Sequence, residues 1–226
     1  SPERVLGLGT GTGIWALEFA AQYPSATVVG TDISPVNITP VPAHVTFKQD
    51  DFCEPWGPSH ENYDFIHARC VYGSIPDYPA LYEKVLKALK PGGWFEQAEI
   101  SVVAISDDGS VKGTHMERWG SLALEIGEKT GKSFAIAQEM IPQIQKAGFV
   151  DVRSHTFNWP VGEWAEEERL KELGRQNRIG WEKGLDSWAN LLFPKVLGWS
   201  VQETKQLCDE IRQDLRNPKI HAYQHM

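Results

Sequence analysis

Three glycines at alternate positions, Gly9, Gly11 and Gly13, stand in the run GTGTG between a strand-like RVLGL and a helix-like segment. Glycine lets a backbone turn tightly and approach a ligand with no Cβ in the way, and the following helix N-terminus presents unpaired N–H groups. A dinucleotide fingerprint GxGxxG would require glycine at position 14, where this chain has Ile14, so nicotinamide and flavin dinucleotides are disfavoured. A tight turn with no ligand is the other reading of this motif alone. Asp32 changes the balance, because it lies at the carboxyl end of the next strand-like run, where an open α/β sheet collects ligand groups and a carboxylate can accept both hydroxyls of a ribose. Asp51 follows the third such run in QDDF, placed to accept an exocyclic amine of adenine, with Phe52 beside it to offer a backbone N–H or a ring face. Each aspartate alone reads as an exposed strand-end charge. Three strand ends aimed at one crevice read as a nucleoside site.

Other residues could act on a second substrate. His67 ends the fourth strand-like run and is the best-placed titratable group for a general base, although a partly buried histidine with a supporting role is the competing reading. Arg69 and Tyr72 share that rim and could bind acceptor oxygens, or form a surface ion pair and a core contact. Among nine tryptophans, Trp119 and Trp188 fall in helical segments where they could line an aromatic acceptor cavity, or simply pack a lid. His221 and His225 have i, i+4 spacing, but with no third ligand near them in sequence no metal site is expected.

Positioning these residues requires an alternation of strand and helix. Strands are expected at 4–8, 26–31, 45–47, 63–67, 94–105 and 150–157. Helices are expected with Ile14, Leu17 and Ala21 on one face, with Leu81, Val85, Ala88 and Leu89 on another, and with Trp119, Leu122, Ala123 and Ile126 on a third. Met140, Ile141, Ile144 and Ala147 outline a further helix closed by Gly148. Pro35, Pro40 and Pro42 replace the helix after the second strand by an irregular loop. Residues 163–217 read as helical, with Ser200-Val201-Gln202-Glu203 a capping box and Asn217-Pro218 a stop. The expectation is a single α/β domain over 1–226, its core near 1–105 and 134–160, with helical insertions near 106–133 and 163–217.

Composition excludes several classes. With 41% hydrophobic residues in 226 the chain can bury a core, and a formal net charge of -8 gives no field attractive to nucleic acid or anionic membranes. A small-molecule or protein partner is therefore expected rather than nucleic acid. Cys53, Cys70 and Cys208 are too few and too scattered for a disulfide scaffold and read as reduced thiols, consistent with a cytoplasmic or nuclear protein. No apolar run is long enough to span a bilayer, and no signal peptide is visible. The abrupt start, SPER directly before a strand, points to sequence upstream in which a targeting peptide would be unseen.

The motifs together resemble the class I methyltransferases that bind S-adenosylmethionine. VLGLGTGTG is similar to their first motif, GTDIS to the ribose-binding motif, QDDFCEPW to the adenine-binding motif, YDFIHAR to the fourth strand and LKPGGWFEQAEI to the passage after it. GTGTGIWA, YPSATVVGTDISP, GSIPDYPAL, AGFVDV, VLGWS and NPKIHAY bring the likeness closer to the LaeA-like fungal methyltransferases, over nearly the whole chain. The resemblance implies a seven-stranded, Rossmann-like sheet with helical lid insertions after strands five and six. It also implies methyl transfer from S-adenosylmethionine to a small secondary metabolite, or alternatively a regulatory protein of secondary metabolism that keeps the fold. Under it Gly9, Thr10, Gly11, Gly13, Asp32, Ile33, Asp51, Phe52, His67 and Arg69 are expected around the cofactor, and Arg69, Tyr72, Trp119 and Trp188 around the acceptor. Position 7 is glycine where the family's first motif usually carries an acidic residue, and the chain stops at HAYQHM where relatives run into a last strand.

Overall fold

Val5, Leu6 and Leu8 are buried along RVLGL, so this short apolar run is the central strand of a sheet covered on both faces, β1 (Arg4–Leu8). The structure, a computed structural model, describes residues 2–226. β1 pairs in parallel with β2 (Thr27–Asp32) on one side and β4 (Tyr63–Arg69) on the other; β3 (Val45–Gln49) and β5 (Leu89–Ala98) extend the sheet outward. The order β3-β2-β1-β4-β5 reverses direction between β1 and β4, which makes the turn after β1 the switch point where an open α/β sheet binds ligands. α1 (Ile14–Gln22) crosses from β1 to β2, and α2 (Tyr78–Ala88) precedes β5. α2 is capped by Asp77, whose side chain accepts from Ala80 N–H.

The buried face of α1 differs from expectation. Ala16 and Ala20 are fully buried against Val5, Val28 and Val45, with Trp15, Leu17 and Phe19 packed around them, while Ile14 is 52% exposed. Small residues let the helix lie close to the sheet, and the large rings beside them fill its flanks.

The chain divides into two compact units. One comprises Ser1–Glu99 and Glu139–Arg153, the parallel sheet with its helices; the other comprises Ile100–Gln138 and Ser154–Met226. Within the second unit, β6 (Asn158–Pro160) pairs antiparallel with β7 (Tyr223–His225). Its helices are α3 (His115–Thr130), α5 (Glu168–Leu192), continued by a short π-helical turn, and α6 (Val201–Leu215). α4 (Ile136–Lys146) straddles the division. Trp119 packs its ring 5.7 Å from Trp188 and 5.3 Å from Phe193, so these aromatics form a core of that unit.

Three strand expectations are corrected. The seven strands do not form one sheet: five form the parallel sheet and two a separate antiparallel pair. β5 spans Leu89–Ala98 rather than 94–105, because Leu89 leaves α2 directly into extended backbone and the Pro91-Gly92-Gly93 run is absorbed as an irregularity in the strand pairing rather than spent on a loop. Beyond Ala98 the pairing ends; Val103 N–H folds back onto Ser101 Oγ, and Ile105 makes only an isolated bridge to Tyr223. The run 150–157 is not a strand: Asp151 adopts φ 53, Val150 and Phe157 are 84% and 68% exposed, and β6 starts at Asn158. Alternating apolar residues need a partner strand to become one; in this run Phe157, whose backbone exchanges two hydrogen bonds with Met226, is the residue that reaches the β6–β7 pair.

The expected capping box is present, with Ser200 Oγ accepting from Glu203 N–H and the Glu203 carboxylate accepting from Ser200 N–H. Ser200→Ala should therefore cost about 1 kcal/mol of stability, the usual loss of an N-cap, and lower the urea midpoint without changing the m-value.

Candidate cofactor site

The turn after β1 is built so that only glycine suits it. Gly9, Gly11 and Gly13 have φ of 61, 55 and 80. A Cβ on Gly13 would stand 2.6 Å from the Phe47 ring, so this glycine lets α1 start hard against β3. Around Gly11 the reverse holds: a Cβ there would meet nothing within 4 Å, which leaves an open cradle at the N-terminal end of α1. Thr10 N–H donates to Thr31 C=O at 2.8 Å, tying the turn to β2, while Thr10 Oγ1 is buried with no hydrogen-bond partner.

Asp32 closes the cradle from the end of β2. Its Oδ2 accepts from Gly11 N–H at 2.8 Å and its Oδ1 from Ser34 N–H at 3.0 Å. Each carboxylate oxygen keeps a second lone pair, so the group can still accept from a ligand. Ile33, next in sequence, is 63% exposed on this rim. After β3, Asp51 is exposed and its Oδ1 accepts from Cys53 N–H at 2.8 Å; Phe52 is buried, its ring 3.4 Å from where a Cβ on Gly9 would stand.

Lys84 on α2 holds that loop. Its Nζ donates to the carbonyls of Phe52, Cys53 and Glu54 at 2.7, 2.8 and 3.0 Å, and partial burial lowers its pKa. Sequence alone does not single out this lysine, since one cation on a helix rich in charged residues carries no local signal.

His67 lies on the α1 face of the sheet. Its ring stacks on Trp15 at 3.9 Å, its Nδ1 lies 3.1 Å from Glu96 Oε2, and its Nε2 is buried without a partner. The bond to His67 keeps the Glu96 carboxyl below its ordinary pKa. The same Trp15 ring lies 3.4 Å from the position of a Cβ on Gly7, so an aromatic side chain fills the space beside position 7.

On the opposite face β5 presents Phe95 and Gln97 toward α2, and Glu99 follows just beyond its end. Tyr82 on α2 donates to Gln97 Oε1 at 2.8 Å, and Gln97 Nε2 in turn donates to Glu99 Oε1 at 2.9 Å. Cys70 turns the chain off β4 at φ 53, an uncommon conformation for a residue with a side chain. Tyr72 follows, its hydroxyl pushed up to about 12 by burial and then by the nearby Cys70 and Glu99. Arg69 is exposed at the end of β4, where its charge reaches Glu96. Thus Gly9, Thr10, Gly11, Gly13, Asp32, Ile33, Asp51 and Phe52 gather at the C-terminal ends of β1, β2 and β3, with His67, Arg69 and Tyr72 at the end of β4. Trp119 and Trp188 belong to the second unit.

The donor set fits an adenosyl group. Two carboxylates with spare lone pairs, an unpartnered hydroxyl and an open glycine turn can take ribose hydroxyls and an exocyclic amine. Among the described residues no helix is long and apolar enough to cross a membrane.

Residues 1–154 match the family model described as a methyltransferase domain. The chain is 38% identical over 222 residues to "Methyltransferase pytC" of Aspergillus terreus, covering 97% of this chain and 68% of that protein. It is 32% identical to "Secondary metabolism regulator laeA" of Aspergillus fumigatus, again over 97% of this chain but 60% of that protein. Among solved structures it is similar to phosphoethanolamine N-methyltransferase 2 of Haemonchus contortus, solved with phosphomonomethylethanolamine and S-adenosylhomocysteine. That likeness has a TM-score of 0.55 and 20% identity, covering 100% of this chain and 47% of the other, and it concerns the fold. The five-stranded parallel sheet, the glycine turn at its switch point and the match over residues 1–154 agree, and the chain belongs to the methyltransferase-domain family.

Proposed function

We propose that the cradle formed by the turn after β1, Asp32 and the loop after β3 binds S-adenosylmethionine, and that the chain directs its methyl group to a small-molecule acceptor of secondary metabolism. The observation that carries this reading is the Gly11–Asp32 hydrogen bond, which brings a ribose-sized carboxylate and an open backbone turn together. In it Asp32 accepts the ribose hydroxyls, Asp51 accepts the adenine amine, Phe52 backs the base, and the exposed Ile33 covers it. His67, clamped between Trp15 and Glu96, supports the turn.

When bound, S-adenosylmethionine supplies a methyl group already activated at a sulfonium, so the protein's contribution is alignment and exclusion of water. A second reading, a regulator acting through a protein partner, is favoured by the 32% identity to a secondary-metabolism regulator. Transfer of a labelled methyl group to small hydroxyl or amine acceptors supports the enzyme; tight adenosyl binding with labelling confined to a partner protein supports the regulator.

S-adenosylhomocysteine at 100 times its Kd should stabilise the protein by about 2.7 kcal/mol, read by thermal shift, while NAD at equal concentration does nothing. No stabilisation by the adenosyl ligand contradicts the assignment.

Asp32→Ala should weaken S-adenosylhomocysteine binding by roughly 1.5–3 kcal/mol in calorimetry, the range for hydrogen bonds to a charged group. Apo stability should fall as well, because Gly11 and Ser34 lose their acceptor. Unchanged affinity in a folded variant would place the ribose elsewhere.

Lys84→Met removes three bonds to the loop carrying Asp51 and Phe52, and should lower the same affinity about tenfold, roughly 1.4 kcal/mol. If affinity holds while the loop becomes susceptible to protease, the loop does not contact the cofactor.

A further inference from the structure

Glu99 stands one residue beyond the end of β5 and is 2% exposed. Its Oε1 accepts from Gln97 Nε2 and, at 3.3 Å, from Val71 N–H, and the Tyr72 N–H also acts on the carboxylate; its Oε2 is buried with no hydrogen-bond partner within bonding distance. Among the described residues no cation pairs with it. A second orphan belongs to the same buried polar cluster: the Tyr78 hydroxyl on α2 is also buried and unpartnered, and Glu99 is the nearby charge that acts on it most strongly. Two unsatisfied polar atoms on neighbouring elements are costly in a packed interior, and such groups are retained where a ligand completes them.

This buried cluster adjoins the cradle. Val71, whose N–H donates to Glu99, has a methyl carbon 3.1 Å from where a Cβ on Gly9 would stand. The Glu99 charge acts on Tyr72, in the segment after β4, and on Tyr78 and Tyr82 of α2; Cys70 also acts on Tyr72, Cys53 of the loop after β3 on Tyr78, and Glu139 of α4 on Tyr78 and Tyr82. These groups are neutral or acidic. No cation in the cluster would attract a carboxylate, and the unpartnered Glu99 Oε2 suits a group that brings a proton to donate.

Resting on the methyl-transfer reading above, we propose that Glu99 Oε2 is the general base for an acceptor hydroxyl or amine, with the Tyr78 hydroxyl as its companion in binding that group. The acceptor's O–H or N–H first donates to Oε2. As the oxygen or nitrogen forms its bond to the methyl carbon, the carbon–sulfur bond breaks, its electron pair returns to sulfur, and the acceptor proton passes to Glu99, which later releases it to water. A thioether or carboxylate acceptor has no proton to lose and needs no such base, so Glu99 favours phenols, alcohols or amines.

Burial raises the Glu99 carboxyl to about 7, within the range where a base exchanges protons readily, against the pull of Gln97 and of the backbone N–H groups of Val71 and Tyr72. For a carboxyl raised in this way, the stability it contributes is fully present below its ordinary value of 4.5 and is lost as pH rises through about 7.

The test compares wild type, Glu99→Gln and Tyr78→Phe. Glutamine mimics the protonated carboxyl, so the melting temperature of Glu99→Gln should gain on wild type as pH rises from 5 to 8, whereas a difference independent of pH overturns the proposal. S-adenosylhomocysteine affinity, by calorimetry, should change less than about twofold in both variants; failure of wild type to bind it would instead remove the cofactor reading. With S-adenosylmethionine and a panel of phenols, alcohols and alkylamines, wild-type transfer should rise with pH through neutrality. Glu99→Gln should lose roughly 10²–10⁴-fold and flatten that profile, and Tyr78→Phe should raise KM more than it lowers kcat. A wild-type protein that methylates none of these acceptors, or a Glu99→Gln variant with the wild-type rate and pH profile, refutes the assignment.

Discussion

The hydrogen bond from Gly11 N–H to Asp32 is the joint on which the first unit's binding face depends. A parallel sheet sends every strand end to the same side, but a glycine turn with positive φ at three positions has no conformation of its own to keep. Asp32 supplies the missing constraint by accepting from Gly11 with one oxygen and from Ser34 with the other, so the turn after β1 and the turn after β2 are fixed against a single carboxylate. Thr10 reinforces it through the Thr31 carbonyl. The same carboxylate that orders the apo turn retains lone pairs for a ligand, which lets structure and binding share one residue.

The two faces of the sheet are put to different uses. Toward α1, Trp15 stacks on His67, crowds the space beside Gly7 and leaves only an unpartnered ring nitrogen, a packed support beneath the glycine turn. Toward α2, β5 carries a polar relay from Tyr82 through Gln97 to Glu99, where an apolar strand face would be cheaper to bury.

Much of this was legible in the residues. β1 to β4, the irregular proline loop, the capping box at Ser200 and the gathering of Gly9 to Gly13 with Asp32 and Asp51 follow from short-range patterns: short apolar runs, glycine spacing, a serine three residues before a glutamate. What sequence did not disclose depends on long-range partners. The run 150–157 alternates like a strand yet finds a neighbour only at its end, where Phe157 bonds to Met226, and β5 took in the glycines that read as a loop. Lys84 became a loop clamp only because α2 packs where three carbonyls converge. Glu99 did leave a trace, as a charged residue on the same face as Phe95 and Gln97, but its weight comes from burial, which no local spacing reveals.

Amide hydrogen exchange with and without S-adenosylhomocysteine tests the central claim most directly, because it reads the backbone of each segment separately. Saturating ligand should slow exchange together in three stretches, 9–13, 32–34 and 51–53, with the strands beneath them little changed. Protection confined to other segments, or none in the glycine turn, would contradict an adenosyl cradle held by Asp32.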